Sequence, residues 1–382
     1  MSSPSAGDGF EQRLAPLPGP SAAFVRHYVQ SWRPYRDHWT YEDGCVWLGA
    51  LALAEASGAR FLRDFVAHEV LSRLGPDGAI RGFRASEYNI DNLKPGSVLL
   101  RLKALHPGLT QLDGAIAQQA AQLDSHPRTA DGNYWHKQIY PDQVWLDGLY
   151  MAQPFQCGLA GLWQRPDLYE DSRRQFVRVR AQMCDPRTGL YYHGHDSSLR
   201  ERWADPVSGC SPSFWGRAMG WYVMALVDCL ELAAPPAAAA LADELRGQLR
   251  DCINALLALR SARGLWWQLL DLGAHQPGNY EETSASLMIA YACLKGARLG
   301  LLDAPAAAAG ARALEAVLAH SLSTTTLDHI CGVAGLGNTP YRDGSVGYYL
   351  SEAIVPNDPK GVAALLLALS ERLHPGSCVE LP

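Results

Sequence analysis

The sequence predicts an all-α fold, a toroid of antiparallel helix pairs, on three observations. Helix-start signals recur along the whole of the 382 residues, while alternating strand patterns are short and few. The helical segments, roughly a dozen and even in number, are joined by short and medium loops, which is what antiparallel pairing produces. A pattern Gly-x-aromatic-aromatic-polar occurs at 132–136, 189–193 and 264–268, each copy after one helical segment and before the next. That order places the three loops at one end of a ring of helix pairs.

In chain order, helical segments are predicted to start near Ser21, Tyr41, Arg60, Pro95, Thr110, Asp142, Pro166, Pro212, Pro236, Thr283, Pro305 and Pro359. Many open on Pro or Thr, because a first-turn N–H has no intrahelical acceptor and its loss costs nothing there. Segments 143–162, 214–232 and 284–299, which follow the aromatic loops, are the more apolar; those before the loops are more polar or alanine-rich. The contrast predicts an inner ring wrapped by an outer one. The Ala/Pro run at 233–240 reads as a loop and helix start, and no Gly-, Ser- or charge-rich linker divides the pattern. Residues 21–382 therefore read as one domain after a flexible start at 1–20.

Composition narrows the function classes. With 48% hydrophobic and 19% charged residues the chain is an ordinary globular one, and a formal charge of -6 supplies no broad basic face for nucleic acid or a membrane surface. Any anionic ligand must then meet a local cationic pocket. The first residues contain no basic stretch leading into an apolar one, and no apolar run approaches a membrane span, so the expected location is cytoplasmic. Nine scattered cysteines without a C-x-x-C pair fit reduced thiols. Tyr and Trp, 16 and 11 against 8 Phe, suit a wet groove for a sugar as well as helix packing.

The chemistry centres on 132–155, GNYWHKQIYPDQVWLDGLYMAQPF, where a loop rich in aromatic and basic residues runs into an apolar helix. Pro141 and Asp142 suit the first helical positions, Asp142 meeting the positive end of the dipole. Asp147, among Val144, Trp145, Leu146, Leu149, Tyr150 and Met151, is a carboxylate on a helix apolar nearly all round. Either it hydrogen-bonds a neighbouring loop, or burial keeps it protonated as a general acid. Further polar residues gather at the same predicted end: Tyr41 and Asp43 at a helix start, Asp91 in a loop, His193 and His195 in an aromatic loop, and Arg217 between Trp215 and Trp221. The H-x-H spacing lacks an indicated third ligand for a metal. Arg217 is either a core-edge arginine stacked on tryptophan or a planar cation poised for a carboxylate.

These segments resemble glycoside hydrolase family 105, the unsaturated rhamnogalacturonyl hydrolases, and more distantly the unsaturated glucuronyl hydrolases of family 88. The likeness spans almost the whole chain and is carried by HK followed by PDQ-x-WLD-x-L-Y-M at 136–151, FWGRAMGW at 214–221, YEETSAS at 280–286, and YY with a later NDPKG near Tyr348 and Asn357. The resemblance implies an (α/α)6 barrel with a deep funnel, a general acid at Asp147 assisted by Asp91, and no metal or organic cofactor. It places a uronate subsite on Tyr41, Asp43, His136, Lys137, Trp145, Met151, His193, Trp215, Arg217 and Trp221. Asp91 would orient hydroxyls or water and hold the Asp147 proton by like-charge repulsion, while Lys137 or Arg217 offsets the uronate charge. The implied substrate is an oligosaccharide left by a polysaccharide lyase and ending in a 4,5-unsaturated, galacturonyl-type uronic acid; nucleic acid and membranes are not expected partners. An unsaturated glucuronyl hydrolase and a non-catalytic helical binding protein are the alternatives. Two departures touch sugar preference: Asp43 stands where relatives often have asparagine, and Pro359-Lys360 where a histidine commonly precedes the glycine.

Overall fold

The computed structural model describes residue 14 and residues 17–374. Most of the start expected to be flexible lies outside the described residues, but Leu14 and Leu17 are buried and join the main core. Among the described residues from Ser21 onward, thirteen α-helices follow in order: α1 (Ser21–Gln30), α2 (Tyr41–Ser57), α3 (Arg60–Leu71), α4 (Lys94–Leu105), α5 (Thr110–Ser125), α6 (Leu146–Trp163), α7 (Pro166–Met183), α8 (Gly216–Leu232), α9 (Ala239–Leu257), α10 (Thr283–Arg298), α11 (Ala304–His320), α12 (Val346–Ser351) and α13 (Pro359–Leu373).

Helices α2, α4, α6, α8, α10 and α13 pack each on the next, and α13 packs back on α2, closing an inner ring. The other long helices form the outer ring, the architecture of an (α/α)6 barrel. The two rings differ as their sequences do. Helix α8 buries an unbroken run from Gly216 to Leu230, because it is covered on every side. Outer helix α7 buries only a stripe, including Tyr169, Ser172, Phe176, Val179 and Met183, the three- and four-residue spacing of a helix with one covered face. The aromatic run Phe24, Tyr28, Trp32 and Phe65 ties α1 and the turn after it to α3.

Connections from inner to outer helices are short: 58–59, 106–109, 164–165, 233–238 and 299–303. Those from outer to inner are long and lie together at the other end: 31–40, 72–93, 126–145, 184–215, 258–282 and 321–358. Within them β1 (Gln143–Trp145) pairs antiparallel with β2 (Gly194–Asp196), Val144 opposite His195, and β3 (Ile330–Cys331) pairs with β4 (Ile354–Val355). Among the described residues no helix is long and apolar enough to cross a membrane.

The three aromatic repeats do the same work at three places. Gly132, Gly189 and Gly264 take φ of +94°, +72° and +91°, a left-handed turn that glycine adopts without strain. Two residues on, Tyr134, Tyr191 and Trp266 are buried in the core. The closing residues His136, His193 and Gln268 present their backbone carbonyls to the preceding hairpin. His136 O accepts from Ile90 N (3.1 Å) just ahead of α4, His193 O from Leu146 N (3.0 Å) at the start of α6, and Gln268 O from Gly216 N (2.8 Å) at the start of α8. His329 O does the same for Thr283 N (3.0 Å) at the start of α10. These N–H groups have no acceptor inside their own helices.

Two expected helix starts are corrected. Residues 141 and 142 are not helical: Asp142 has φ +61°, β1 follows, and α6 begins at Leu146. Pairing with β2, which is 50 residues away in sequence, holds 143–145 extended. Likewise the segment expected from Pro212 begins at Gly216. Short α12 was not expected.

Replacing Gly264 by alanine puts a side chain on a left-handed backbone, with its Cβ 3.2 Å from the Arg312 side chain. Gly264→Ala is expected to cost about 1–3 kcal/mol, read as a lower denaturation midpoint with unchanged helical circular dichroism.

Candidate active site

The six inner helices all point their N-termini at the end that carries the long loops. Each first turn presents unpaired N–H groups and the positive end of a helix dipole. Five of the six carry carboxylates there: Glu42 and Asp43 on α2, Asp91 in the turn leading to α4, Asp147 as the second residue of α6, Glu282 capping α10 and Asp358 capping α13. The sixth, α8, has Arg217 instead.

Between them lies a cleft of about 760 Å³ counting its open mouth, lined among others by Tyr41, Glu42, Asp91, His136, Lys137, Tyr140, Trp145, Asp147, Met151 and Arg342. A second cleft of about 800 Å³ opens at the opposite end of the barrel, lined by side chains including Leu100, Pro154 and Leu232. Its charges are spent on one another, Lys295 pairing with Asp228 (2.7 Å) and Glu231 (2.8 Å), so it offers no group poised for chemistry.

In the first cleft Asp147 does offer such a group. Its side chain is 16% exposed, and Oδ2 has no hydrogen-bond partner; the nearest cation-forming group is His193 Nε2 at 3.4 Å. His193 is fully buried and its Nδ1 lies 2.7 Å from the Tyr349 hydroxyl. Burial pushes the Tyr349 phenol well above its ordinary pKa, so it keeps its proton. A Tyr349 O–H donating to Nδ1 leaves the ring proton on Nε2, facing Asp147.

Asp91 is held differently. Burial alone would raise its pKa, but the Lys137 ammonium at 2.7 Å and His136 at 3.6 Å bring it below the ordinary carboxylate value. Burial in turn drops His136 to about 4, so at neutral pH the imidazole is uncharged and Lys137 alone keeps Asp91 ionised. Trp145 stacks on His136 at 4.3 Å and on Tyr140 at 5.0 Å, making one wall of three near-parallel rings.

The sequence profile of Glycosyl Hydrolase Family 88 matches residues 22–375. A solved glycoside hydrolase of family 105 from C. acetobutylicum ATCC 824 superposes with a TM-score of 0.87 and 38% identity, covering 92% of this chain and 98% of that one. The chain belongs to the family 88 and 105 glycoside hydrolases. Protein Atu3128 of Agrobacterium fabrum is 44% identical over 235 residues, 58% of this chain and 98% of its own length. The unsaturated rhamnogalacturonyl hydrolase YesR of Bacillus subtilis is 31% identical over 216 residues, 55% of this chain and 59% of its own.

In this hydrolase Tyr41, Asp91, His136, Lys137, Trp145, Asp147 and Met151 line the cleft, whereas Asp43, His193, Trp215, Arg217 and Trp221 stand behind its wall. Trp215 is bonded to Gln268 (3.1 Å) and Trp221 is stacked on Tyr150 (5.1 Å), both buried. Arg217 is not a free fork for a substrate carboxylate. Its Nε donates to Ser284 (2.8 Å) and its Nη2 to Glu282 (3.4 Å) and the Cys331 carbonyl, leaving only Nη1 without a partner. A cation at a helix N-terminus opposes the dipole, and Glu282 on the neighbouring inner helix compensates it. Two expectations about charge are corrected with it. Asp91 is neutralised by Lys137, so it does not hold the Asp147 proton by bare repulsion, and Lys137 is committed to Asp91. Asp147, not Asp142, takes the first-turn place on α6. His195 and Asp196 belong to β2, where Asp196 accepts from the backbone N–H of Ser198, Arg200 and Glu201 and so shapes the loop. Lys360 is paired with Asp358 at 2.9 Å. Sequence reasoning missed Arg36, Tyr140, Arg342 and Tyr349; for Tyr349 the YY pair was a usable signal.

Truncating one partner of the buried pair leaves the other charge stranded. Arg217→Met is expected to lose about 3–5 kcal/mol of stability in chemical denaturation, where a substrate-binding role alone would leave stability untouched.

Asp43 is fully buried, accepting from Tyr35 N (2.8 Å) through Oδ1 while Oδ2 has no partner, and burial pushes its pKa to about 6. The folded state therefore binds a proton that the unfolded chain has already lost, and stability from this group falls as pH rises from ~4 to ~6. An amide keeps the acceptor for Tyr35 without the charge. Asp43→Asn is expected to melt above the parent at neutral pH, with the advantage vanishing below pH ~4; melting curves of both proteins across that range check it.

Proposed function

We propose that this hydrolase removes a 4,5-unsaturated uronic acid, of the galacturonyl type, from the non-reducing end of lyase-generated oligosaccharides such as rhamnogalacturonan fragments. The observation that carries the reading is Asp147: a carboxyl on the cleft lining whose buried Oδ2 lies 3.4 Å from His193 Nε2, with Tyr349 behind that ring. The similarity to an unsaturated rhamnogalacturonyl hydrolase supports the substrate class.

The unsaturated ring is a vinyl ether, and its carbon 4 is the basic site. Protonated Asp147 gives its proton to carbon 4, and positive charge develops at carbon 5 and the ring oxygen. Water adds at carbon 5 and loses a proton to the Asp147 carboxylate, restoring the acid. The hemiketal so formed opens, and collapse of the freed hemiacetal at carbon 1 releases the rest of the oligosaccharide as an alcohol. Because the attack is not at the anomeric carbon, the rule linking carboxylate separation to stereochemistry does not govern this site.

The surrounding groups divide the remaining work. The Nε2–H of His193 stabilises the Asp147 carboxylate while it lacks its proton. Asp91, kept ionised by Lys137, accepts hydrogen bonds from sugar hydroxyls or from the attacking water. The stacked wall of His136, Trp145 and Tyr140 bounds one side of the space the ring enters.

Asp147→Asn fills the same space but has no proton to give. It is expected to lose at least about a hundredfold in turnover while melting close to the parent. Loss of the ultraviolet absorbance of the conjugated double bond, followed on galacturonyl- and glucuronyl-type lyase products, measures activity. The saturated uronide with the same linkage should stay intact by mass spectrometry; its efficient cleavage would point to a conventional glycosidase.

A further inference from the structure

The cleft lining contains three cations, and only one of them is used up. Lys137 pairs with Asp91, but Arg36 and Arg342 have no carboxylate partner among the described residues. Arg342 is held by neutral acceptors: Nε donates to Gly337 O (3.0 Å) and Nη2 to Leu336 O (3.1 Å) and the Tyr140 hydroxyl (2.9 Å). A Cβ on residue 335 would collide with its Nη1, so Gly335 is what makes room for that end of the guanidinium. Arg36 is exposed and lies 5.5 Å from the Tyr35 ring. Such placement orients a planar donor without spending its charge.

Position decides what these cations face. Asp147 and its His193 support lie deep, whereas Arg36 is exposed and Arg342 half-exposed beside exposed Val333 and Tyr341, so both stand toward the mouth. In an enzyme that takes the terminal ring to the floor, the mouth meets the sugars on the leaving side of the scissile bond. On a chain of net charge -6, two arginines without an ion-paired carboxylate among the described residues give the mouth a cationic character, which exposed Asp37 beside Arg36 only partly offsets.

We propose that Arg36 and Arg342 form a subsite for a uronate carboxylate on the leaving portion of the substrate, so that the preferred oligosaccharides carry acid beyond the unsaturated ring. The inference rests on the reaction proposed above and adds a specificity to it. Arg342 offers the fork that matches a carboxylate, and Arg36 adds a second charge that can follow a flexible chain.

Three lyase products with the same terminal unsaturated galacturonyl ring test it: one linked to a single rhamnose, one linked to galacturonate, and the rhamnogalacturonan tetrasaccharide with galacturonate one residue further on. The expected result is a kcat/KM for at least one acidic product about tenfold or more above the neutral one at low salt, narrowing as salt is added because the subsite is open to solvent. In Arg342→Gln and in Arg36→Gln that ratio should fall toward one, and Arg342→Lys should keep part of it. Exposed Arg36 carries the test if Arg342→Gln fails to fold. Equal turnover of all three products, or a ratio that survives in both glutamine variants, overturns the subsite while leaving the proposed reaction standing. Cleavage of none of them overturns the reaction and this inference with it.

Discussion

A backbone N–H at the start of a helix has to find its acceptor somewhere else, and in this barrel the acceptor belongs to the next hairpin. Four inner segments begin on a hydrogen bond to a carbonyl of the following long loop, at His136, His193, Gln268 and His329. Those four hairpins therefore cannot complete their own inner segments alone. The same residues point side chains as well as carbonyls: His193 caps α6 through its oxygen while its ring faces Asp147, one residue beyond the N–H it caps. The bond that starts the helix also fixes the distance between the acid and its support.

Converging six N-termini on one point makes a site that favours negative charge, and the sequence answers with carboxylates on five of them. What differs among them is the compensation. Asp91 has Lys137, Asp358 has Lys360, and Glu282 has Arg217. Asp147 has only His193 beside it, 3.4 Å from Oδ2. Among the described residues Glu42 and Asp43 on α2 also lack a paired cation, and Asp147 differs from them in facing the cleft with the His193–Tyr349 pair behind it.

Much of this architecture was legible in the chain, and the misses share a cause. Apolar runs separated inner from outer helices because an inner helix is covered on all sides, and the glycine-aromatic repeats marked the loop end because each needs a left-handed turn and a buried ring. The start of α6 was misplaced because strand pairing with 194–196 is a contact distant in sequence, which overrides a local Pro-Asp signal. Arg217 read as a substrate fork because its flanking tryptophans are local, while Glu282, Ser284 and Cys331, which occupy it, are not. Arg342 and Tyr349 lie roughly two hundred residues from Tyr140 and Asp147; the YY pair marks Tyr349 itself, but the local segment does not say which residues it will meet.

The direction of the rings also decides where the chain can be handled. Helix α1 runs toward the cleft and α13 away from it, so the ring is entered near residue 21 and left near residue 373 on the face remote from the mouth. A tether to an exposed residue on that remote face would leave the mouth open to polymer fragments. Immobilisation through that face presents every molecule with its funnel outward, whereas anchoring through the long loops would bury it.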